Sequence, residues 1–495
     1  MTRSHRTAGV RLDRTVLAPR LATLAATLGR PSPAVDDPGE AVSRLVDASD
    51  RAEVWLALAV LSGRLPDEST VVETVRAAEF DPTALLAAAE AEATDLSVAR
   101  TVRVESERVL VDVAHTASTT LMTGIQRVVR ETVRRWQRDH DVLTVSWTAE
   151  WDALRTLTPA EADRIAHAKA ADEDETVRGT QEIVVPWRSR YVLPEVALDT
   201  PRVARMRALA RFSGNAFAAI GYDLIPLTTG ETTAPAMPGA FAGATTVMRY
   251  AEHVTPISEA SAVEYRGWRT TLAATGIQGP RITAVELPVE SVAVSDAAME
   301  ATAERLLVGG LPMVLVVGSH EPRKNHLAVL HAAEVLWREG QRFSLTFVGG
   351  NSWGSEEFSA QLLDLQRADR PVESISKVSE DLLWAAYRLA RFTVFPSFNE
   401  GFGLPVAESL SVGTPAITSD FGSMAEIAAL GGALTVDPRS DVSIRDAMRR
   451  LLADDDLRAR LSEAALGRPR RSWDEYAKGV WAHLGTAPTT SDSGS

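Results

Sequence analysis

The 495-residue chain contains no cysteine. This excludes a disulfide framework, thiolate catalysis and thiolate-ligated zinc or iron–sulfur sites, and it agrees with a reducing cytosol. Lysine is scarce: Lys169, Lys324, Lys377 and Lys478 are the only four, set against abundant arginine and alanine. An arginine here carries little information beyond coding bias, whereas a retained lysine carries more. No apolar run approaches the ~18 residues of a membrane-spanning helix. The basic N-terminal stretch TVLAPRLATLAATLG is broken by Pro19 and Arg20, which argues against a secretory signal. Positive charge is in deficit too, and a net charge of −14 argues against general nucleic-acid binding. What is present is ordinary for a globular protein, with 45% apolar and 24% charged residues, so disorder of the whole chain is excluded. The length calls for more than one domain, because single cores stop growing near ~250–300 residues.

Residues 1–38 are rich in Pro and Arg and read as a loosely ordered tail. Residues 39–104 read as a helical accessory module. EAVSRLVDASDRAEVWLALAVLSGRLP carries apolar residues at helical spacing and stops at Gly63 and Pro66; ESTVVETVRAAEF and ALLAAAEAEA follow, the last started by Asp81-Pro82. Such a module can be packing, or it can serve oligomerisation, acceptor docking or membrane contact. At residue 105 the texture changes. VLVDVA, DVLTVSW, EIVVPW and NAFAAIGYDLIPL are short apolar strands of the kind buried on both faces of a parallel sheet, and helices such as IQRVVRETVRRWQR lie between them. Residues 105–290 thus form one doubly wound α/β domain. The pattern restarts over 291–467, from LPMVLVVGS through FSLTFVGG, FTVFPS and PAITSD to ALTVDP. Residues 468–485 read as a terminal amphipathic helix and 486–495 as a disordered polar end. Two α/β domains imply a cleft, with ligands at the carboxyl ends of the strands.

The most informative stretch is VFPSFNEGFGLPVAESLSVGTPAITSD, residues 394–420. A buried strand feeds a glycine-rich loop, and Pro405 suits the first turn of the helix that follows. The glycines allow close backbone approach, and the helix start offers free N–H groups and a positive dipole end, which suits phosphate. Glu400 and Glu408 flank this anion site. Carboxylates hold phosphate poorly but accept from sugar hydroxyls. The ligand implied carries both phosphates and hydroxyl-rich rings. In VVGSHEPRKNHLAVLHAA, Arg323 and Lys324 sit in the loop after a strand ending at Gly318, a pairing that suits a diphosphate.

These residues closely resemble the retaining glycosyltransferases of family 4, whose two glutamates are separated by seven residues on an EGFGLP-type loop. The resemblance covers roughly residues 109–485 and implies an α/β protein of the GT-B fold: two Rossmann-like domains facing a cleft, the N-terminal one for the acceptor and the C-terminal one for the nucleotide sugar, here with an N-terminal helical extension. It assigns donor contacts to Gly124, Gly318, Arg323, Lys324, Val378 (with Lys377 beside it), the run Glu400, Gly401, Phe402, Gly403 and Leu404, and Glu408. Arg127 in TGIQRV, Tyr222 in AIGYDLIPL and Ser258 in VTPISEASA are implied as acceptor or cleft residues, and Asp223 as a catalytic one beside Glu400, Arg323 and Lys324. Glu259 and His115 lie in the same loops with weaker expectations. The chain departs from the family in two places. Ser319 stands where many members carry an arginine, and Tyr222 replaces a histidine and cannot titrate near neutrality.

The implied reaction moves a hexosyl group, with mannosyl favoured, from a nucleotide-diphosphate sugar to a hydroxyl of a glycan or lipid-linked acceptor. It proceeds with retention and serves polysaccharide assembly. No cofactor is expected. No metal is expected either: Asp172-Glu173-Asp174 and Asp454-Asp455-Asp456 have Asp-x-Asp spacing but follow no buried strand, and Arg323 with Lys324 supply positive charge. The setting implied is cytoplasmic, with peripheral contact at the inner membrane face if the acceptor is lipid-linked. The oligomeric state is open. The alternative is a GT-B-like subunit that binds nucleotide sugar without turnover.

Overall fold

The computed structural model describes residues 9–33, 37–120, 123–167 and 182–485. Its first sheet comprises β1 (Thr101–Ser106), β2 (Val109–Asp112), β3 (Val142–Trp147), β4 (Leu154–Thr156), β5 (Glu182–Trp187), β6 (Arg190–Leu193), β7 (Ala216–Gly221), β8 (His253–Pro256) and β9 (Arg281–Ile282). The strand order is β1-β5-β4-β3-β2-β6-β7-β8-β9, parallel except where β4 runs against β3 and β5. The second sheet is wholly parallel and has the order β12-β11-β10-β13-β14-β15. It is formed by β10 (Met313–Val317), β11 (Ser344–Val348), β12 (Val372–Ile375), β13 (Phe392–Phe395), β14 (Ala416–Ser419) and β15 (Ala433–Val436). β10, β11, β13 and β14 consist almost wholly of buried residues, as strands covered by helices on both faces must. No helix among the described residues is long and apolar enough to cross a membrane.

Three features depart from the sequence reading. The segment expected to be a loose tail instead holds a helix, Arg14–Leu28, capped by the Asp13 side chain. Leu17, Leu21 and Leu24 line its buried face. Arg20, which seemed to break the apolar run, is buried and donates to the carbonyls of Leu61 and Ser97 at 2.6 Å. Second, the helical module ends by Val98, because residues 101–106 are a strand paired with β5. Its helices share one hydrophobic core with the first sheet: Trp55, Leu58 and Leu61 of the Arg51–Ser62 helix join Val184, Tyr191 and Leu209. Third, the apolar stretch RITAVELPV, which by its residues reads as a further full strand of this domain, contributes only the two-residue strand β9.

The chain passes into the second domain after β9 and later comes back. The terminal helix Trp473–Leu484, started by a capping box of Ser472 and Glu475, packs on the first domain. Trp136 Nε1 donates to the Ala477 carbonyl at 2.9 Å, and Trp481 stacks on His140 at 3.9 Å between ring centroids. Residues 486–495, read from sequence as a disordered end, lie outside the described residues.

Candidate functional site

β10 and β13 deliver two loops to the same edge of the second sheet. After β10 the chain makes a short 3₁₀ turn, Pro322–Lys324, closed by Asn325 in a left-handed conformation (φ 58°) that asparagine tolerates. The Asn325 amide donates to the carbonyls of Pro438 at 2.7 Å and Pro396 at 3.3 Å, and Phe398 N–H donates to the Arg323 carbonyl at 2.9 Å. The two loops are thereby joined. Arg323 lies 2.7 Å from Glu400 and donates to the Asn399 carbonyl at 2.7 Å. Lys324 Nζ lies 2.6 Å from the other Glu400 oxygen, with the Phe395 ring beneath it, and Ser397 Oγ also donates to Glu400 at 2.6 Å. Burial would push the Glu400 carboxyl up, but the two cations outweigh it and hold the group at about 2. Arg323 is likewise held protonated despite its burial.

Glu400 opens the glycine loop. At Gly401 a side chain has no room: a Cβ would lie 2.9 Å from Asp223 Oδ2 and 3.2 Å from Asp223 Cβ, on the opposite domain. Gly403 has φ 100°, which glycine alone adopts without strain, and it leads into the helix Leu404–Ser411 without a side-chain cap. One turn on, Glu408 is buried. Its carboxylate accepts from Arg127 at 3.0 Å and from the Tyr387 hydroxyl at 2.9 Å. Burial raises the Glu408 carboxyl, with Arg127 and Tyr387 opposing.

The first domain contributes the other wall. Gly124 begins the helix Gly124–Asp139, and a Cβ on it would stand 3.2 Å from Leu404 Cδ1; Arg127 lies one turn along. Asp223 follows β7. Burial raises its carboxyl to about 6, with Arg323 opposing and Glu400 and Glu264 adding to the rise. Phe402 packs against apolar clusters of both domains.

Of two further residues expected as acceptor or cleft residues, Tyr222 turns away from the cleft and Ser258 lies in it. Tyr222 is buried in the core of the first domain, and its hydroxyl donates to the Pro194 carbonyl at 2.7 Å. Strand alternation turns it inward from Asp223. Ser258 is fully buried: its oxygen accepts from Ser261 N–H, and its hydroxyl donates to the Gly401 carbonyl at 2.6 Å. It clasps the domains together and offers nothing to an acceptor. Val378 packs by its side chain against the cluster of Leu315, Trp384 and Tyr387. Gly318 ends β10 with φ 146°, beside the Lys324 stem. The Ser319 hydroxyl is engaged by Glu321. Asp172-Glu173-Asp174 lie outside the described residues, while Asp454 caps the helix Asp455–Leu466 and Asp455 pairs with Arg391 and Arg458. Tyr387, Ser397 and Asn399 escaped the sequence reading; Tyr387 and Asn399 act through tertiary contacts that leave no local pattern, while Ser397 reaches Glu400 only three residues on.

A pH effect follows from Asp223. Because its folded carboxyl is raised from 3.8 to about 6, the native chain binds the proton more tightly than the unfolded chain. Wild type is therefore expected to lose stability relative to Asp223→Asn as pH rises from about 4 to about 6, and to hold the difference above that window. Thermal melts of both proteins across this range check it; a constant difference contradicts it.

The two facing parallel-sheet domains define a GT-B protein. Residues 300–468, which make up most of the second domain, match the family model described as glycosyl transferases group 1. In sequence the chain is similar to the serotype-specific mannosyltransferase WbdA of Escherichia coli, 24% identical over 65% of this chain and 40% of the relative. It is also similar to the D-inositol 3-phosphate glycosyltransferase of Acidothermus cellulolyticus, 35% identical over 41% of this chain and 48% of that one. The chain thus spans less than half the length of these relatives. In structure it resembles Anabaena HepE in complex with UDP and glucose, with TM-score 0.54 and 10% identity over 76% of this chain and 98% of that one.

Proposed function

We propose that this protein is a retaining hexosyltransferase of glycosyltransferase family 4. It moves a hexosyl group, mannosyl in the first instance, from a nucleotide-diphosphate sugar to a hydroxyl of a glycan or lipid-linked acceptor in polysaccharide assembly. One observation carries the reading: Arg323, Lys324 and Glu400 converge within ion-pair distance beside an uncapped helix start in the cleft. Relatives named as mannosyltransferases and a structural neighbour holding UDP and glucose support the donor class. The alternative of an inactive binding subunit rests on the Ser319 and Tyr222 departures, and against it Arg323, Lys324, Glu400 and Glu408 are all present.

The chemistry needs stabilisation of negative charge. The bond from the anomeric carbon to a phosphate oxygen breaks, and charge grows on the departing diphosphate. Arg323, Lys324 and the amides of the Gly401–Leu404 loop are preorganised to meet it. Glu400 accepts from the donor sugar's hydroxyls and Glu408 from those of the ribose. Asp223 faces this cluster from the other domain. Among the described residues no nucleophile–base pair stands out, so attack is from the face the leaving group vacates. The acceptor hydroxyl's proton passes to the departing phosphate oxygen. This scheme draws its positive charge from side chains and requires neither cofactor nor divalent ion. A lipid-linked acceptor would place the reaction at the cytoplasmic membrane face.

A thermal-shift panel of nucleoside diphosphates tests the reading. A bound nucleotide at 100 Kd adds ~2.7 kcal/mol, and the stabilising base names the donor sugars to assay for turnover. The proposal fails if no nucleoside diphosphate stabilises the protein.

A further inference from the structure

A cavity of about 470 Å³ opens in the cleft beside Glu400, within the ~300–1,000 Å³ of small-molecule sites. It lies between the helix Glu259–Ala273 of the first domain and the loops carrying Asn399 and Phe421 of the second. Val263, which is 60% exposed, and Phe421 supply apolar wall; Asn399 supplies an amide. Ser261 adds a hydroxyl, and the charged lining is acidic: Glu259, Glu264, Glu400 and Glu426. Among the described residues no lysine or arginine lines it. Of the nearby cations, Arg266 is engaged by Glu259, and Arg323 and Lys324 sit on the far side of Glu400, where they are assigned to the donor diphosphate.

The carboxylates are fixed in place. Glu426 accepts from the backbone amides of Glu259 and Ala260, both at 3.0 Å, and so docks one domain on the helix start of the other. Glu264 accepts from Leu224 N–H at 3.0 Å and from the Asn399 amide at 3.4 Å, joining the Asp223 loop to the Glu400 loop. An apolar ring face with amide and carboxylate acceptors around it matches a sugar ring: C–H faces rest on Phe421 and Val263, and hydroxyls donate to the acids. The same carboxylates oppose a phosphate, because like charges at close range cost several kcal/mol.

We propose that this cavity is the acceptor subsite and that it takes an uncharged, hydroxyl-rich sugar end while excluding phosphate-bearing acceptors. The proposal rests on the transferase reading above and narrows its acceptor. It separates this chain from its relative named for D-inositol 3-phosphate, despite 35% identity to it. In the transfer, the anomeric carbon's bond to phosphate oxygen breaks, its bond to the acceptor oxygen forms, and the acceptor's proton leaves with the diphosphate.

The test uses the full chain with the donor sugars of the nucleotide that stabilises it. The acceptor probes are methyl α-mannoside, mannobiose and mannose 6-phosphate, and the readout is release of nucleoside diphosphate. The neutral probes should accelerate release above the slow hydrolytic background, and the phosphorylated one should not. Val263→Trp fills the cavity from its exposed side and should raise the neutral acceptor's KM at least ~10-fold, equivalent to ~1.4 kcal/mol, with the nucleotide thermal shift unchanged. Glu259→Lys should lower the KM for mannose 6-phosphate. If nucleotide binds and the donor is hydrolysed, yet neutral sugars do not stimulate release, or mannose 6-phosphate serves as well as they do, or Val263→Trp leaves KM unaltered, this inference falls alone. If no nucleotide binds, the transferase reading falls with it.

Discussion

Glu400→Gln is expected to lower transfer ~10²–10³-fold, the cost of removing one transition-state hydrogen-bonding group, while nucleoside diphosphate binds at least as tightly as to wild type. The split arises because the site is neutralised from within. Each cation that would meet a diphosphate is held by Glu400, at 2.7 Å from Arg323 and 2.6 Å from Lys324. Diphosphate must displace that carboxylate to bind. The amide of glutamine keeps a hydrogen-bond acceptor but no charge, so both cations become available. The donor sugar in turn loses a charged acceptor for its hydroxyls. Lys324→Ala should differ in kind, weakening nucleotide binding and transfer together. Isothermal titration with nucleoside diphosphate, set beside single-turnover transfer, separates the two patterns. Parallel loss of binding and transfer in Glu400→Gln would contradict the proposed role.

Arg202→Leu is expected to cost about 3–5 kcal/mol of stability, the range for breaking a buried ion pair from one side. Arg202, Asp112 and Glu195 are wholly buried, and the guanidinium lies 2.8 Å from Asp112 and 2.9 Å from Glu195. Burial alone would lower the Arg202 pKa, but the two carboxylates overcome this and keep it charged. Asp112 also accepts from Trp147 Nε1 at 2.8 Å and from the Tyr191 hydroxyl, and Glu195 accepts from the backbone amides of His115 and Thr116. Removing the arginine leaves two carboxylates in the core without the one cation they share. Globular domains are stable by only ~5–15 kcal/mol, so the loss should be plain in a urea titration. A midpoint within error of wild type would show that the carboxylates relax or take up protons at little cost. The same cluster anchors the loop leading to Gly124, so a folded fraction of the variant should also bind donor more weakly.

The glycine loop with its two glutamates and the Arg323-Lys324 turn were legible because their chemistry is written in contiguous residues. The alternation of apolar strands with helices announced both α/β domains for the same reason. Tyr222 was misplaced because neighbours in sequence do not reveal which way a side chain turns at a strand end, and it faces inward to Pro194. Ser258 does lie at the cleft, but its bond across to Gly401 could not be read from its neighbours. The Arg14–Leu28 helix was hidden by Pro19 and Arg20. Pro19 lies inside the helix and removes one of its backbone hydrogen bonds, a loss offset by the buried Leu17, Leu21 and Leu24, and a buried arginine is acceptable where carbonyls such as those of Leu61 and Ser97 await it. Tyr387 could not be foreseen as a partner of Glu408, since 21 residues and a strand separate them.

The return of the terminal helix to the first domain has a mechanical consequence. Two separate stretches of backbone, one after β9 and one before Trp473, run between the lobes like paired straps. Straps anchored at both ends permit the lobes to swing but not to drift apart. Release of product should therefore proceed by a rotation about that pair, which returns the Ser258 hydroxyl to the Gly401 carbonyl on every cycle.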